Sequence, residues 1–299
     1  MSITNAEIAS QPAVWERALS DVGAARRVLG SPGERVLFLG CGTSEFVSES
    51  LAILRERSGL GVTDAAYASE WRPGRQYDRV IALSRSGTTS EVLDVLDRIP
   101  SGPTKVAITG VADAPIHELV DDSLILEYAD EESVVQTRFP TTVIAIARAV
   151  FGEDVSGLPG EAAAALAQSD QLAQSDQYGV GLFDHFVYLG SGWTYGLAQE
   201  GSLKIREAAQ AWSESYPLFE YRHGPIAVAH PGSLVTIFGD ADPEIVADIE
   251  RTGAVVRSGS ADPLVQLVTS QRLAVQLAES RGLDPDHPRH LTRSVILHA

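Results

Sequence analysis

One short motif occurs twice in the chain, half its length apart. Phe38-Leu39-Gly40-Cys41-Gly42-Thr43-Ser44 is matched by Tyr188-Leu189-Gly190-Ser191-Gly192-Trp193-Thr194. Each copy is an aromatic-Leu-Gly-x-Gly strand end that opens into a helix-like segment, and two copies of one module is the economical explanation. Short apolar runs rich in β-branched residues surround both copies, at Arg35–Gly40, Arg79–Ser84, Lys105–Thr109, Ser123–Leu126, Phe186–Gly190, Ser233–Phe238 and Gly253–Val256. They read as buried strands. Segments with helical spacing lie between or after them, at Ser44–Arg57, Ser90–Arg98, Thr141–Ala149, Trp193–Ser213 and Leu264–Glu279. Alternating strands and helices predict an α/β fold whose parallel sheets are covered on both faces. A cluster of Gly, Pro and acidic residues at Gly152–Gly160 predicts the boundary between two domains, 1–155 and 156–299. The tandem Leu-Ala-Gln-Ser-Asp-Gln at 166–171 and 172–177 reads as a solvated helix lengthened by local duplication.

Charge and cysteine content narrow the function classes. The 299 residues carry 23 basic and 40 acidic side chains, a net charge of −17. That field repels nucleic acid and anionic lipid, so neither is expected as a partner. It also repels a phosphorylated metabolite, and any phosphate site must therefore use short-range donors: backbone N–H groups, hydroxyls and a local Arg. Cys41 is the sole cysteine, which rules out an intramolecular disulfide and a multi-cysteine metal site and fits a reducing, cytoplasmic location. Met1–Gln11 has no basic region followed by an apolar core, and the most apolar stretch, Val143–Phe151, is interrupted by Arg148; secretion and membrane insertion are not expected.

Ser84-Arg85-Ser86-Gly87-Thr88-Thr89-Ser90-Glu91 lies between a strand and a helix-like segment. Its hydroxyls supply donors, Gly87 permits a tight turn, and the helix start directs N–H groups outward, which together suit a phosphate monoester. An ordinary Ser/Thr-capped turn would have the same composition, and the Arg85 side chain could equally point to solvent. At the matching place in the second half, Gly239-Asp240 follows the strand without such hydroxyls, so one phosphate loop is expected per chain. Gly40-Cys41-Gly42 lacks the third correctly spaced glycine of a dinucleotide loop, and NAD is rejected. Cys41 reads as a small packing residue. In the second half, Glu200–Glu207 reads as one amphipathic helix leading towards Arg222-His223-Gly224-Pro225, whose Gly-Pro pair predicts a turn holding His223 on a loop. A carboxylate and an imidazole are the groups needed to move protons on carbon and on a ring oxygen, but spacing alone leaves solvated surface roles open. His287-Pro288-Arg289-His290 and His298 lack metal-ligand spacing, and neither a metal nor a cofactor is expected.

Together these motifs resemble the sugar isomerase (SIS) family, most closely the isomerase half of glutamine-dependent glucosamine-6-phosphate synthases. The resemblance covers nearly the whole chain, adding Glu7-Ile8 with Gln11-Pro12, Ala68-Ser69-Glu70, Val134-Val135-Gln136-Thr137-Arg138, Glu200-Gly201-Ser202-Leu203-Lys204 and Pro288-Arg289-His290-Leu291-Thr292-Arg293-Ser294-Val295. It implies two tandem doubly wound, flavodoxin-like, three-layer αβα domains, and a homodimer that shares its sites, since the family's histidine comes from the neighbouring subunit. Carried over by position, the phosphate hydroxyls fall on Ser84, Ser86 and Thr89, helped by Ser44 and the Arg85 backbone. Thr43, Val134 and the loop around Gln136 match sugar contacts. The C1–C2 proton shuttle falls on Glu207 and the ring-opening histidine on His223. Departures refine this. Ser2 follows Met1, where the synthases carry a glutaminase domain with a cysteine nucleophile, so glutamine-dependent synthesis is not expected. Arg293 stands where the synthases have an imine-forming lysine, and a guanidinium stays protonated. Arg85 and Arg138, in place of the family's frequent glutamine and lysine, predict a pocket with extra positive charge. The resemblance therefore implies a substrate that brings its own nitrogen: a hexosamine 6-phosphate or a phosphorylated Amadori product, deaminated or deglycated. Plain aldose–ketose isomerisation and a non-catalytic phosphosugar sensor are the alternatives.

Overall fold

A computed structural model describes residues 2–20, 22–173, 179 and 181–297. The chain divides into two compact units whose ends are exchanged: one comprises 13–157 with 292–299, the other 1–12 with 158–291. The sequence-based division at 155/156 keeps each half contiguous; the compact units instead divide at Gly157/Leu158, and the last eight residues go with the first sheet. Helix α1 (Ile3–Ser20) runs across the junction at Pro12.

The first unit is built on β1 (Val36–Gly40), β2 (Thr63–Tyr67), β3 (Arg79–Leu83), β4 (Thr104–Thr109) and β5 (Asp122–Ile125). Helices α2 (Gly23–Val28), α3 (Thr43–Arg57), α4 (Ser90–Arg98) and α5 (Arg138–Val150) surround them. The five strands are parallel in the order β2-β1-β3-β4-β5, with Leu37 paired to Asp64 on one side and Val80 on the other. Both faces of the central strands are buried, and Leu37, Leu39, Val80, Ala82, Val92, Val95 and Leu96 form one core. The expected parallel α/β architecture is observed. Strand β2 escaped the apolar-run criterion because Thr-Asp-Ala-Ala-Tyr, on a half-buried edge, contains no Val, Ile or Leu and carries Asp and Ala at its centre.

The second unit contains α6 (Leu158–Ala173), β6 (His185–Gly190), α7 (Thr194–Ala209), β7 (Trp212–Pro217), β8 (Ser233–Ile237), α8 (Pro243–Glu250), β9 (Val255–Arg257) and α9 (Pro263–Ser280). Its sheet is parallel in the order β7-β6-β8-β9. The helix expected over Trp193–Ser213 is shorter. It ends at Ala209, Gln210 turns left-handed at φ 49°, and Trp212-Ser213 begin strand β7. The second copy of the six-residue tandem extends into 174–177, outside the described residues, as does His298.

The repeated motif has one physical cause in both units. A Cβ on Gly40 would fall 2.6 Å from the backbone nitrogen of Glu45, and one on Gly190 would fall 2.7 Å from that of Tyr195. Only glycine lets the first turn of α3 or α7 close onto the strand before it. Each sheet then reverses its winding beside this strand, and the crevice at such a reversal is where open α/β sheets place ligands. In the first unit, Thr43-Ser44 and the Ser84–Thr89 loop follow the carboxyl ends of the adjacent strands β1 and β3.

Candidate functional site

The loop between β3 and α4 is held by its own hydroxyls. Ser84 Oγ accepts from the Gly87 backbone N–H at 3.1 Å and lies 3.2 Å from Thr89 Oγ1. Ser86 Oγ accepts from the Thr88 N–H at 3.2 Å and its hydroxyl at 2.9 Å. Gly87 sits at φ +65°, and a Cβ there would meet the Ala114 side chain at 2.6 Å. Thr89, at the N-cap position, does not cap α4 with its side chain. Two other strand-to-helix junctions differ in chemistry. Asp242 caps α8 through the Glu244 and Ile245 N–H groups, and Asp262 caps α9 through that of Leu264. A carboxylate at a helix start excludes a second anion. Of these three junctions, the β3–α4 turn alone has a hydroxyl residue, Thr89, at the N-cap position, with the Glu91 carboxylate following in the first turn of α4.

Around this loop the first unit gathers most of the residues singled out in the sequence. Thr43 and Ser44 are buried at the start of α3. Cys41 beside them has its thiol pushed up by burial and by the nearby Glu91 carboxylate, which leaves it neutral and unreactive at ordinary pH. Arg85 is buried, not solvent-facing: it donates to the Ser133 carbonyl and to the Arg293 carbonyl, each at 2.8 Å, and lies 3.9 Å from the buried Glu131 carboxylate. Arg138 likewise turns its guanidinium to the Asp130 carbonyl. The extra positive charge expected of these two arginines is therefore directed at backbone acceptors and, for Arg85, also towards the Glu131 carboxylate, because a buried charge is costly without partners. Val134 follows the Ser133 carbonyl held by Arg85, and both Val134 and Gln136 are half-buried. The Gln136 Oε1 atom is buried with no hydrogen-bond partner among the described residues. Arg293 forms a bidentate ion pair with Asp130 at 2.6 and 2.7 Å and donates to the Glu131 carbonyl at 3.0 Å.

Glu207 and His223 belong to the second unit. On α7, Glu200, Lys204 and Glu207 share a face by i, i+4 and i, i+3 spacing. The Lys204 ammonium lies 3.2 Å from Glu200 and 2.6 Å from Glu207. Burial opposes the charge on Lys204, but the two carboxylates outweigh burial and hold its pKa above the ordinary lysine value. The ammonium thus anchors one oxygen of the half-buried Glu207 carboxylate. His223 is exposed at the end of a 3₁₀ turn, Leu218–His223, in place of the open loop expected; the Leu218 and Tyr221 side chains, buried beneath it, wind the chain there. No hydrogen bond joins it to Glu207 among the described residues. Sequence reasoning gave no role to Lys204, Glu131 or Ser294; for Lys204 the signal available was its placement between two glutamates on one helix face. Among the described residues no group of three or more His, Cys, Asp or Glu could hold a metal ion, and no helix is long and apolar enough to cross a membrane.

No family model matches the chain. Curated relatives do. A glutamine–fructose-6-phosphate aminotransferase (isomerizing) from Methanothermobacter thermautotrophicus is 29% identical over 336 residues, covering 97% of this chain and 57% of the relative. One from Sulfurisphaera tokodaii is 27% identical, covering 93% of this chain and 53% of the relative. Among solved structures, a glucosamine-6-phosphate deaminase from Thermotoga maritima superposes with a TM-score of 0.85 at 28% identity, covering 99% of this chain and 100% of that one. The chain is similar to phosphosugar isomerases and deaminases. It spans about half the length of the aminotransferases it matches, whereas it matches the deaminase end to end. The resemblance to the sugar isomerase family that the motifs carry is present in both comparisons.

Proposed function

We propose that this chain is a phosphosugar isomerase/deaminase or deglycase, acting on a hexose 6-phosphate that bears an amine. The observation that carries this reading is the end-to-end match to a glucosamine-6-phosphate deaminase, in a chain that has a carboxylate at Glu207 and a hydroxyl loop at Ser84–Thr89. In this reading the phosphate is held by Ser84, Ser86 and Thr89, assisted by Ser44 and the Arg85 backbone, while Thr43, Val134 and Gln136 contact the sugar. His223, offered by a neighbouring copy in a homodimer with shared sites, assists ring opening. Glu207 removes a proton from one of C1 and C2, the electrons pass through an enolamine, and the proton is returned to the other carbon. The amine thereby becomes an imine, and water hydrolyses it to a carbonyl and ammonia or a free amine. A 2-amino aldose 6-phosphate yields a ketose 6-phosphate and ammonia; an Amadori 6-phosphate yields an aldose 6-phosphate and the amine. Lys204 positions the base, and its raised pKa keeps it from serving as an imine-forming amine. Arg293, fixed on Asp130, is likewise no nucleophile. The same reading includes two tandem flavodoxin-like domains and a cytoplasmic site of action.

The test is product analysis with a panel of hexosamine 6-phosphates and Amadori 6-phosphates, following nitrogen release and the sugar phosphate formed. Nitrogen release with the paired sugar phosphate is expected. An isomerised sugar that keeps its nitrogen would instead establish plain aldose–ketose isomerisation, and unchanged substrates throughout would overturn the enzymatic reading in favour of a phosphosugar sensor.

A further inference from the structure

The hydroxyl loop does not stand alone in its unit. Residues 292–297, more than 200 positions away in sequence, cross it. The Ser294 hydroxyl lies 3.1 Å from Ser86 Oγ and 2.9 Å from Thr88 Oγ1, and these two lie 2.9 Å apart. Three hydroxyls therefore form a closed triangle. A hydroxyl carries one proton on a freely turning rotor, so each member can donate within the triangle or outward from it. An oxyanion placed against the triangle can receive all three protons at once, without moving a heavy atom far. In a chain of net charge −17, short-range donors of this kind are what an anion site requires.

The segment carrying Ser294 is fastened by groups that leave little freedom. The Arg85 guanidinium, 1% exposed, donates to the carbonyl of Arg293, and the Arg293 side chain is paired with Asp130. On the far side, Ser90 N–H donates to the Val295 carbonyl at 3.2 Å, and Leu297 N–H donates to Ser90 Oγ at 2.9 Å. Ser294 is thus pinned from both directions over the start of α4. We propose that Ser294 is a further hydroxyl of the phosphate-binding site, so that the C-terminal segment takes part in anion binding directly. The proposal rests on the phosphosugar reading of the Ser84–Thr89 loop and adds to it a ligand from the other end of the chain.

Calorimetric titration of the full chain with inorganic phosphate tests it, using the wild type and the Ser86→Ala, Ser294→Ala and Ser294→Thr variants. Ser294→Ala is expected to weaken phosphate binding about tenfold, the size of one hydrogen bond to a charged group. Ser294→Thr keeps the hydroxyl and is expected to restore binding, which a merely structural role for the residue would not require. The urea midpoint of Ser294→Ala without phosphate should match the wild type. Wild-type affinity in Ser294→Ala together with weakened binding in Ser86→Ala would overturn the inference and leave the loop reading intact. Failure of the wild type to bind phosphate, or unchanged binding in Ser86→Ala, would overturn both.

Discussion

Lys204 and Glu45 show how burial sets the charge of single residues. Lys204 is fully buried yet remains an ammonium, because Glu200 and Glu207 lie within 3.2 and 2.6 Å. Removing such a partner would leave a buried charge uncompensated, a cost of about 3–5 kcal/mol, so the triad is as much a structural constraint as a means of orienting Glu207. Among the described residues Glu45 has no such cation. Burial, with the charge of Glu49 adding to it and a hydrogen bond from Tyr67 opposing it, pushes its carboxyl up to about 7. The folded chain therefore keeps this proton to higher pH than the unfolded chain does. The stabilisation from Glu45 is complete below about pH 4.5 and is lost as pH rises through about 7. Glu45→Gln, which cannot ionise, is expected to be more stable than the wild type by about 1–2 kcal/mol at pH 8, with the gain vanishing near pH 4. Urea unfolding at the two pH values checks this; an equal offset at both would show that ionisation of Glu45 is not the cause.

At the scale of elements, the β3–α4 turn depends on Gly87. Its φ of +65° and the crowding by Ala114 and Ile116 both oppose a side chain. Gly87→Ala is expected to cost about 1–3 kcal/mol of stability and to weaken phosphate binding, since the turn positions Ser84 and Ser86; urea unfolding and phosphate titration read the two effects. Much at this scale was legible in the sequence. The repeat announced two strand–turn–helix units because Gly40 and Gly190 answer to one packing demand, and the strands β1, β3, β4, β6 and β8 declared themselves as apolar runs. What was not legible lay where tertiary packing overrides local pattern. Strand β2 is too polar to stand out, and the first two residues of β7 were absorbed into the preceding helix because nothing in Gln210-Ala211 announces a left-handed turn. The burial of Arg85 was invisible as well: its acceptors come from Ser133 and Arg293, 48 and 208 positions distant.

At the scale of the whole molecule, the two compact units divide the candidate roles. The unit of 13–157 with 292–299 holds the hydroxyl loop, the sugar-contact candidates and the C-terminal segment; the other holds Glu207 and His223. Thr43-Ser44 and the Ser84–Thr89 loop follow strand ends and Glu207 lies on a helix face, whereas Val134 and Gln136 lie in the loop before α5 and His223 ends a 3₁₀ turn. The exchange of termini was not readable, since it depends on long-range contacts of residues 292–297 with the Ser84–Thr89 loop. The central claim is that Glu207 moves the proton that converts an amine-bearing hexose phosphate into an imine. The measurement that tests it most directly is nitrogen release by Glu207→Gln beside the wild type, on whichever panel substrate the wild type consumes. The amide keeps the shape and loses the base, so release is expected to fall by a factor of about 10² or more while phosphate affinity stays within twofold. Release at the wild-type rate from Glu207→Gln would contradict the assignment.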